Sequence, residues 1–132
     1  MPSLHNADLS VTTDRPQDRA TVIVSCDVNF TDVEVNAMDL LDLRYALNCR
    51  ILNKYLLDED PVITYREQIF PRIPGAARHY EHVVFETSSP MYDLHERLLG
   101  KDKLIAEVTL RNEETRDEQK LRTDDVSVDL AA

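Results

Sequence analysis

Glycine, tryptophan and cysteine are scarce in this chain of 132 residues, which has two glycines, no tryptophan and two cysteines. Phosphate-binding loops need glycine where the backbone closes on the anion, and neither Gly75 nor Gly100 stands in a glycine-rich run, which sets aside the common nucleotide-binding classes. Cys26 and Cys49 lack metal-ligand spacing, and each reads as a reduced, buried thiol. No serine lies in a G-x-S-x-G elbow, so no nucleophile is marked. No apolar run approaches membrane length, and the opening MPSLHNADLS lacks the basic start and apolar core of a secretion signal. These features predict a cytoplasmic protein without membrane contact. Positive charge is scarce too: 15 Lys and Arg stand against 25 Asp and Glu, a net charge of −10 that repels a phosphate backbone and argues against nucleic acid as a partner.

What is present is alternation. In ATVIVSCDVNF, Val22, Val24, Cys26, Val28 and Phe30 share one side of a strand. TDVEVNAM continues the period of two with a change of phase near Thr31, which predicts a bulge or bend. Leu41, Leu43, Tyr45, Leu47, Cys49 and Ile51 form the next inward row, followed by PVITYREQIF, a Pro/Gly loop at 71–77, and RHYEHVVFE. KLIAEVTL and KLRTDDVSVDL read as a hairpin around a charged turn, with an interruption at Asp124 and Asp125. A connection over 87–102 is expected to hold a helical turn around Asp93 to Leu99. The fold expected is all-β, an antiparallel β-sandwich of about seven strands with a flexible N-terminal arm. Residues 1–19 are the extended or disordered arm, in which LSVTT is capable of pairing as an edge strand, and 20–132 form a single β-sandwich domain.

One short pattern is written twice, as YLLDEDPVIT at 55–64 and RLLGKDKLIA at 97–106. Aspartate suits such turns because its carboxylate bonds nearby backbone N–H groups, so both copies are first of all structural. Convergence of Asp58, Asp60, Asp93 and Asp102 at one end of the sandwich would instead supply hard oxygen ligands for Ca²⁺. DEDPVITY and YDLHERLLGKDKLIAEV resemble, over about a third of the chain, the calcium-dependent phospholipid-binding β-sandwich domains of synaptotagmin and protein kinase C. That resemblance implies calcium-binding loops. The chain departs from the family pattern at Asp93-Leu94-His95, where the family has paired aspartates, and at Ala106, where it has glycine.

Histidines 79, 82 and 95 are the remaining candidates for acid–base work, with no nucleophile at a matching spacing. On a strand, His82 shares a face with Tyr80 and Val84, and Glu81, Val83 and Phe85 take the other. The leading expectation is a non-catalytic binding or assembly module acting through edge strands, loops and the N-terminal arm, with a protein partner or self-association and no cofactor. Two alternatives stand beside it. One is a small β-fold enzyme of the cyclase or isomerase type, with a small-molecule pocket lined by Tyr45, Tyr65, Tyr80, His82 and Tyr92. The other is the calcium-binding module.

Overall fold

The computed structural model describes residues 1–55, 58–95 and 100–130. Among these residues nine strands and two helices follow in order: β1 Ser3–Asp14, β2 Arg19–Asn29, α1 Asp32–Leu40, β3 Tyr45–Tyr55, β4 Asp58–Thr64, β5 Gln68–Phe70, β6 Tyr80–Pro90, α2 Met91–Leu94, β7 Asp102–Asn112, β8 Glu118–Arg122 and β9 Val126–Val128. They build the expected antiparallel sandwich. One sheet has the order β1-β2-β6; the other runs β4-β3-β7-β8, with β5 also on β3 and β9 also on β7.

The alternating rows explain the core. Val22, Val24, Cys26 and Val28 of β2 and Val83 and Phe85 of β6 face Leu47, Cys49 and Ile51 of β3 and Leu104, Ala106, Val108 and Leu110 of β7, all buried. At about 25 cal/mol per Å² of apolar surface, this inter-sheet layer is the main stabilising term. On the other face of the larger sheet, Glu107 receives Arg50 and Arg122 at 2.9 and 2.8 Å. Burial pushes its carboxyl up, yet the bonds from the two guanidinium groups outweigh this and hold its pKa below the ordinary value.

Three expectations are corrected. Residues 32–40 form a helix, not a continuation of strand: Thr31 Oγ1 accepts from the Glu34 N–H at 3.3 Å, and Glu34 Oε1 accepts from the Thr31 N–H at 2.7 Å. This capping box turns the chain at the point where the alternation changes phase. Val35 and Met38, three apart, then bury a helical face. The following strand accordingly starts at Tyr45, and Leu41 is left exposed. Residues 3–14, read as part of a flexible arm, are a full edge strand, paired to β2 from Ser3↔Asn29 to Asp14↔Arg19 with a bulge between His5 and Asp8. The helical turn before β7 is α2, ahead of the expected place, and residues 96–99 lie outside the described ones.

The interruption at Asp124 and Asp125 separates β8 from β9. Thr123 fills the gap, its N–H donating to the Ala106 carbonyl and its Oγ1 accepting from the Ala106 N–H, each at 3.0 Å. The two copies of the repeated pattern lie on opposite sides of β3: Asn53 pairs with Asp60 of β4 and with Leu104 of β7. The Leu56–Leu57 and Leu98–Leu99 pairs lie outside the described residues.

Thr31→Ala removes one half of the capping box and lowers the unfolding free energy by about 1 kcal/mol. Urea denaturation checks this, and Thr31→Ser, which keeps the capping hydroxyl, is expected to retain most of the stability.

Candidate functional site

Strand β6 borders its sheet on one side only. Its pairing with β2 runs without a register shift from Asn29↔Tyr80 to Arg19↔Pro90. The Phe30 N–H donates to the His79 carbonyl, and the Met91 N–H to the Asp18 carbonyl, so odd-numbered backbone groups here point towards β2. Even-numbered ones therefore point outward, by the alternation of antiparallel ladders. Two outward carbonyls take arginine side chains, Arg72 on His82 at 3.3 Å and Arg19 on Ser88 at 2.8 Å. The backbone groups of Val84 and Glu86 in between face away from the sheet.

Beside this edge, on the outer face, a polar cluster is centred on Asp27 of β2. Its Oδ1 lies 2.7 Å from His82 Nδ1 and accepts from the Tyr80 hydroxyl at 2.8 Å; its Oδ2 accepts from Asn6 Nδ2 at 2.9 Å. Bonds from His82, then Asn6, then Tyr80 hold the Asp27 carboxyl down at about 2. Asn6 reaches it because the β1 bulge places that residue at φ 55°. A cleft of about 410 Å³ adjoins, lined in part by Arg72, Arg78, Tyr80 and His82. His79, just before β6, contacts Asp32 of α1 at 2.5 Å.

The five residues of the expected aromatic pocket do not converge. Tyr80 and His82 meet at Asp27 on the outer face. Tyr45 lines a separate cleft of about 180 Å³ with Glu34 and Gln119; burial, then the Glu34 charge, pushes its phenol up to about 12. Tyr65 donates to the Val22 carbonyl at 2.8 Å, and burial raises its pKa further. Tyr92 is exposed on α2. Cys26 and Cys49 are buried free thiols whose pKa values burial raises to about 11 and about 12, with a lesser contribution from Asp27 on Cys26 and from Cys26 on Cys49.

The four aspartates proposed for calcium do not group as a ligand set among the described residues. Asp58 and Asp60 are exposed on β4, and Asp93 is exposed on α2. Asp102 is fully buried: Asn53 Nδ2 donates to its Oδ1 at 3.0 Å, and His95 Nδ1 lies 2.5 Å from its Oδ2. Asn53 Nδ2 also donates to the Leu94 carbonyl at 2.7 Å, while its buried Oδ1 has no partner among the described residues. Among the described residues no three His, Cys, Asp or Glu side chains are grouped to hold a metal ion. The strand alternation placed Asp27 outward, but only the β2–β6 register reveals that it stands opposite His82. The Asn53–Asp102 contact escaped the sequence reading because it crosses from β3 to β7.

No family model and no curated protein sequence matches the chain. Among solved structures, one described as the "Putative ApaA Protein from Bordetella pertussis" aligns with a TM-score of 0.40 at 5% identity, over 97% of this chain and 92% of that one. Among the described residues no helix is long and apolar enough to cross a membrane.

Two outcomes are expected. Asp27 has a folded pKa of about 2 against an ordinary 3.8, so its contribution to stability is present above 3.8 and is lost as pH falls towards 2. Carbon-detected NMR should place the Asp27 midpoint near 2 and move it upward in His82→Ala; an unchanged midpoint would sink the network. Asp102→Ala leaves the Asn53 amide without one acceptor in the interior and costs about 1–3 kcal/mol of stability, read by urea denaturation.

Proposed function

We propose that the protein is a non-catalytic assembly module in which two copies pair along the outward edge of β6, joining their three-stranded sheets into one continuous sheet. The observation that carries this reading is the uninterrupted β6 edge, with the Val84 and Glu86 backbone groups turned away from β2. Unpaired strand edges are templates for another strand, and proteins guard those they do not use. The other edges are guarded. β1 carries a bulge and is tied at both ends to the far sheet, through Gln119 on the Pro2 carbonyl and through Arg15 on the Asp129 carbonyl at 3.0 Å. β4 shows three exposed acids and Pro61, and β8 is five residues long and carries Lys120 and Arg122. Between its ends β6 has neither lysine, proline nor bulge.

The side chains favour a particular register. Antiparallel pairing about a two-fold axis at Val84 sets hydrogen-bonding residues opposite one another, with His82 facing the partner's Glu86 and Glu86 facing the partner's His82. Tyr80 then faces the partner's Ser88. An imidazole facing a carboxylate and a central aliphatic pair are favourable cross-strand neighbours, whereas an axis at Glu86 would oppose two glutamates. A two-fold interface of this kind is self-complementary, as most homodimers are.

Light scattering after size exclusion tests the proposal. A particle of twice 15.2 kDa is expected at micromolar concentration. Val84→Pro removes an outward N–H that the fold does not use, and should give a folded monomer. Phe85→Pro removes an inward N–H of the β2–β6 ladder and should unfold the sheet. Glu86→Lys should weaken the dimer. A parent chain that stays monomeric, or a Val84→Pro variant that stays dimeric, rejects this interface.

A further inference from the structure

Helix α1 is apolar on two faces. Val35 and Met38 are buried against the core, at 8% and 2% exposure, but Val33, Leu40 and the capping Leu41 stand at 77%, 79% and 78%. At about 3.6 residues per turn, Val33 and Leu40 fall one above the other two turns apart, with Ala37 between them. Together with Asn36 they line a shallow apolar hollow of about 340 Å³. A helix with apolar residues on both faces is one that is covered on both faces, and a contiguous exposed apolar patch marks an interaction surface.

The charge around the hollow selects the occupant. From Thr31 to Leu43 the chain carries Asp32, Glu34, Asp39 and Asp42, and no Lys, Arg or His. The Asp32 and Asp42 side chains are 89% and 86% exposed. Asp32 contacts His79, Asp39 accepts from the Ala77 N–H at 2.9 Å, and Asp42 pairs with Arg44 at 2.5 Å. Each carboxylate retains acceptor capacity beyond these bonds. A second α1 laid on the first would bring acid against acid, so like-charge repulsion disfavours a copy of this chain as the occupant. We propose that the Val33–Leu40–Leu41 face docks a basic amphipathic helix of a partner protein. The partner's apolar residues, at i, i+3, i+4 and i+7, fill the hollow, and its flanking Lys or Arg side chains meet Asp32, Asp39 and Asp42. This surface is built from residues outside the β6 edge and does not depend on pairing there.

The test uses a synthetic amphipathic helix of leucine and lysine carrying one tryptophan. Because the chain itself has no tryptophan, the peptide's emission reports binding directly. A blue shift saturating at one peptide per chain is expected. Leu40→Asp discriminates patch docking from general attraction between a basic peptide and an acidic protein: it adds a negative charge, so attraction alone would tighten binding. Docking predicts about tenfold or more weakening. Leu40→Ser, which leaves the charge unchanged, should weaken binding in the same direction. Leu40 is exposed, and circular dichroism melting verifies that both variants fold. Equal or tighter binding by Leu40→Asp, or equal binding of a leucine–glutamate peptide, overturns the proposal. Halving of particle mass by Leu40→Asp in light scattering would assign the face to an interface between copies and would also overturn it.

Discussion

An open sheet has two edges, and the backbone N–H and C=O groups along them need a partner, water or a guard. The way this sandwich meets that constraint organises much of its surface. The β1 edge is bent by a bulge and tied to the opposite sheet at Pro2 and Asp129; the acids and Pro61 of β4 and the short, charged β8 protect the larger sheet. β6 differs from these. Arg72 and Arg19 take two of its carbonyls, and the stretch between them is regular, with the Val84 and Glu86 side chains exposed and, among the described residues, no strand paired on its outer edge. The assembly reading rests on this asymmetry among the edges, not on any catalytic group.

Polar residues inside the sandwich have a structural role. Asp102 is buried, and such a carboxylate persists only where donors surround it. Asn53 from β3 donates to it and His95 Nδ1 from the segment after α2 lies against it, so one side chain ties β7 to two other parts of the chain. The repeated turn motif thereby acquires a physical meaning. Its two copies lead into the strands that flank β3, and the aspartate of the second copy is held by the asparagine at which the strands meet. The motif serves the register of three adjacent strands. The calcium-loop resemblance shares the aspartates but not their convergence.

The surface, in contrast, concentrates chemistry in two neighbouring places. On the outer face of the smaller sheet, Asp27 gathers His82, Tyr80 and Asn6 across three strands. Next to it, the loop before β6 reaches α1 through His79 on Asp32 and through the Ala77 N–H on Asp39. The proposed strand-pairing edge and the proposed helix-docking face are thus joined by one short loop.

The sequence by itself determined the antiparallel sandwich, because residues that alternate with a period of two can bury one face only as strands. The inward rows of β2, β3, β6 and β7 lie where their alternation puts them. The break before Val126 was legible for the same reason. Helix α1 was not read, although Thr31 and Glu34 already spelled its capping box, because Val33, Val35 and Ala37 imitate a strand over so short a span. β1 was read only in part, as LSVTT at 9–13, because a bulge interrupts its period at Asn6. Only the tertiary structure decided which outward residues meet. Asp27 and His82 are far apart in sequence and adjacent through register alone, and Asn53 finds Asp102 because β3 and β7 are neighbours. Periodicity specifies the face a side chain takes, whereas strand order and register specify its partner, and the sites of this protein are made of partners.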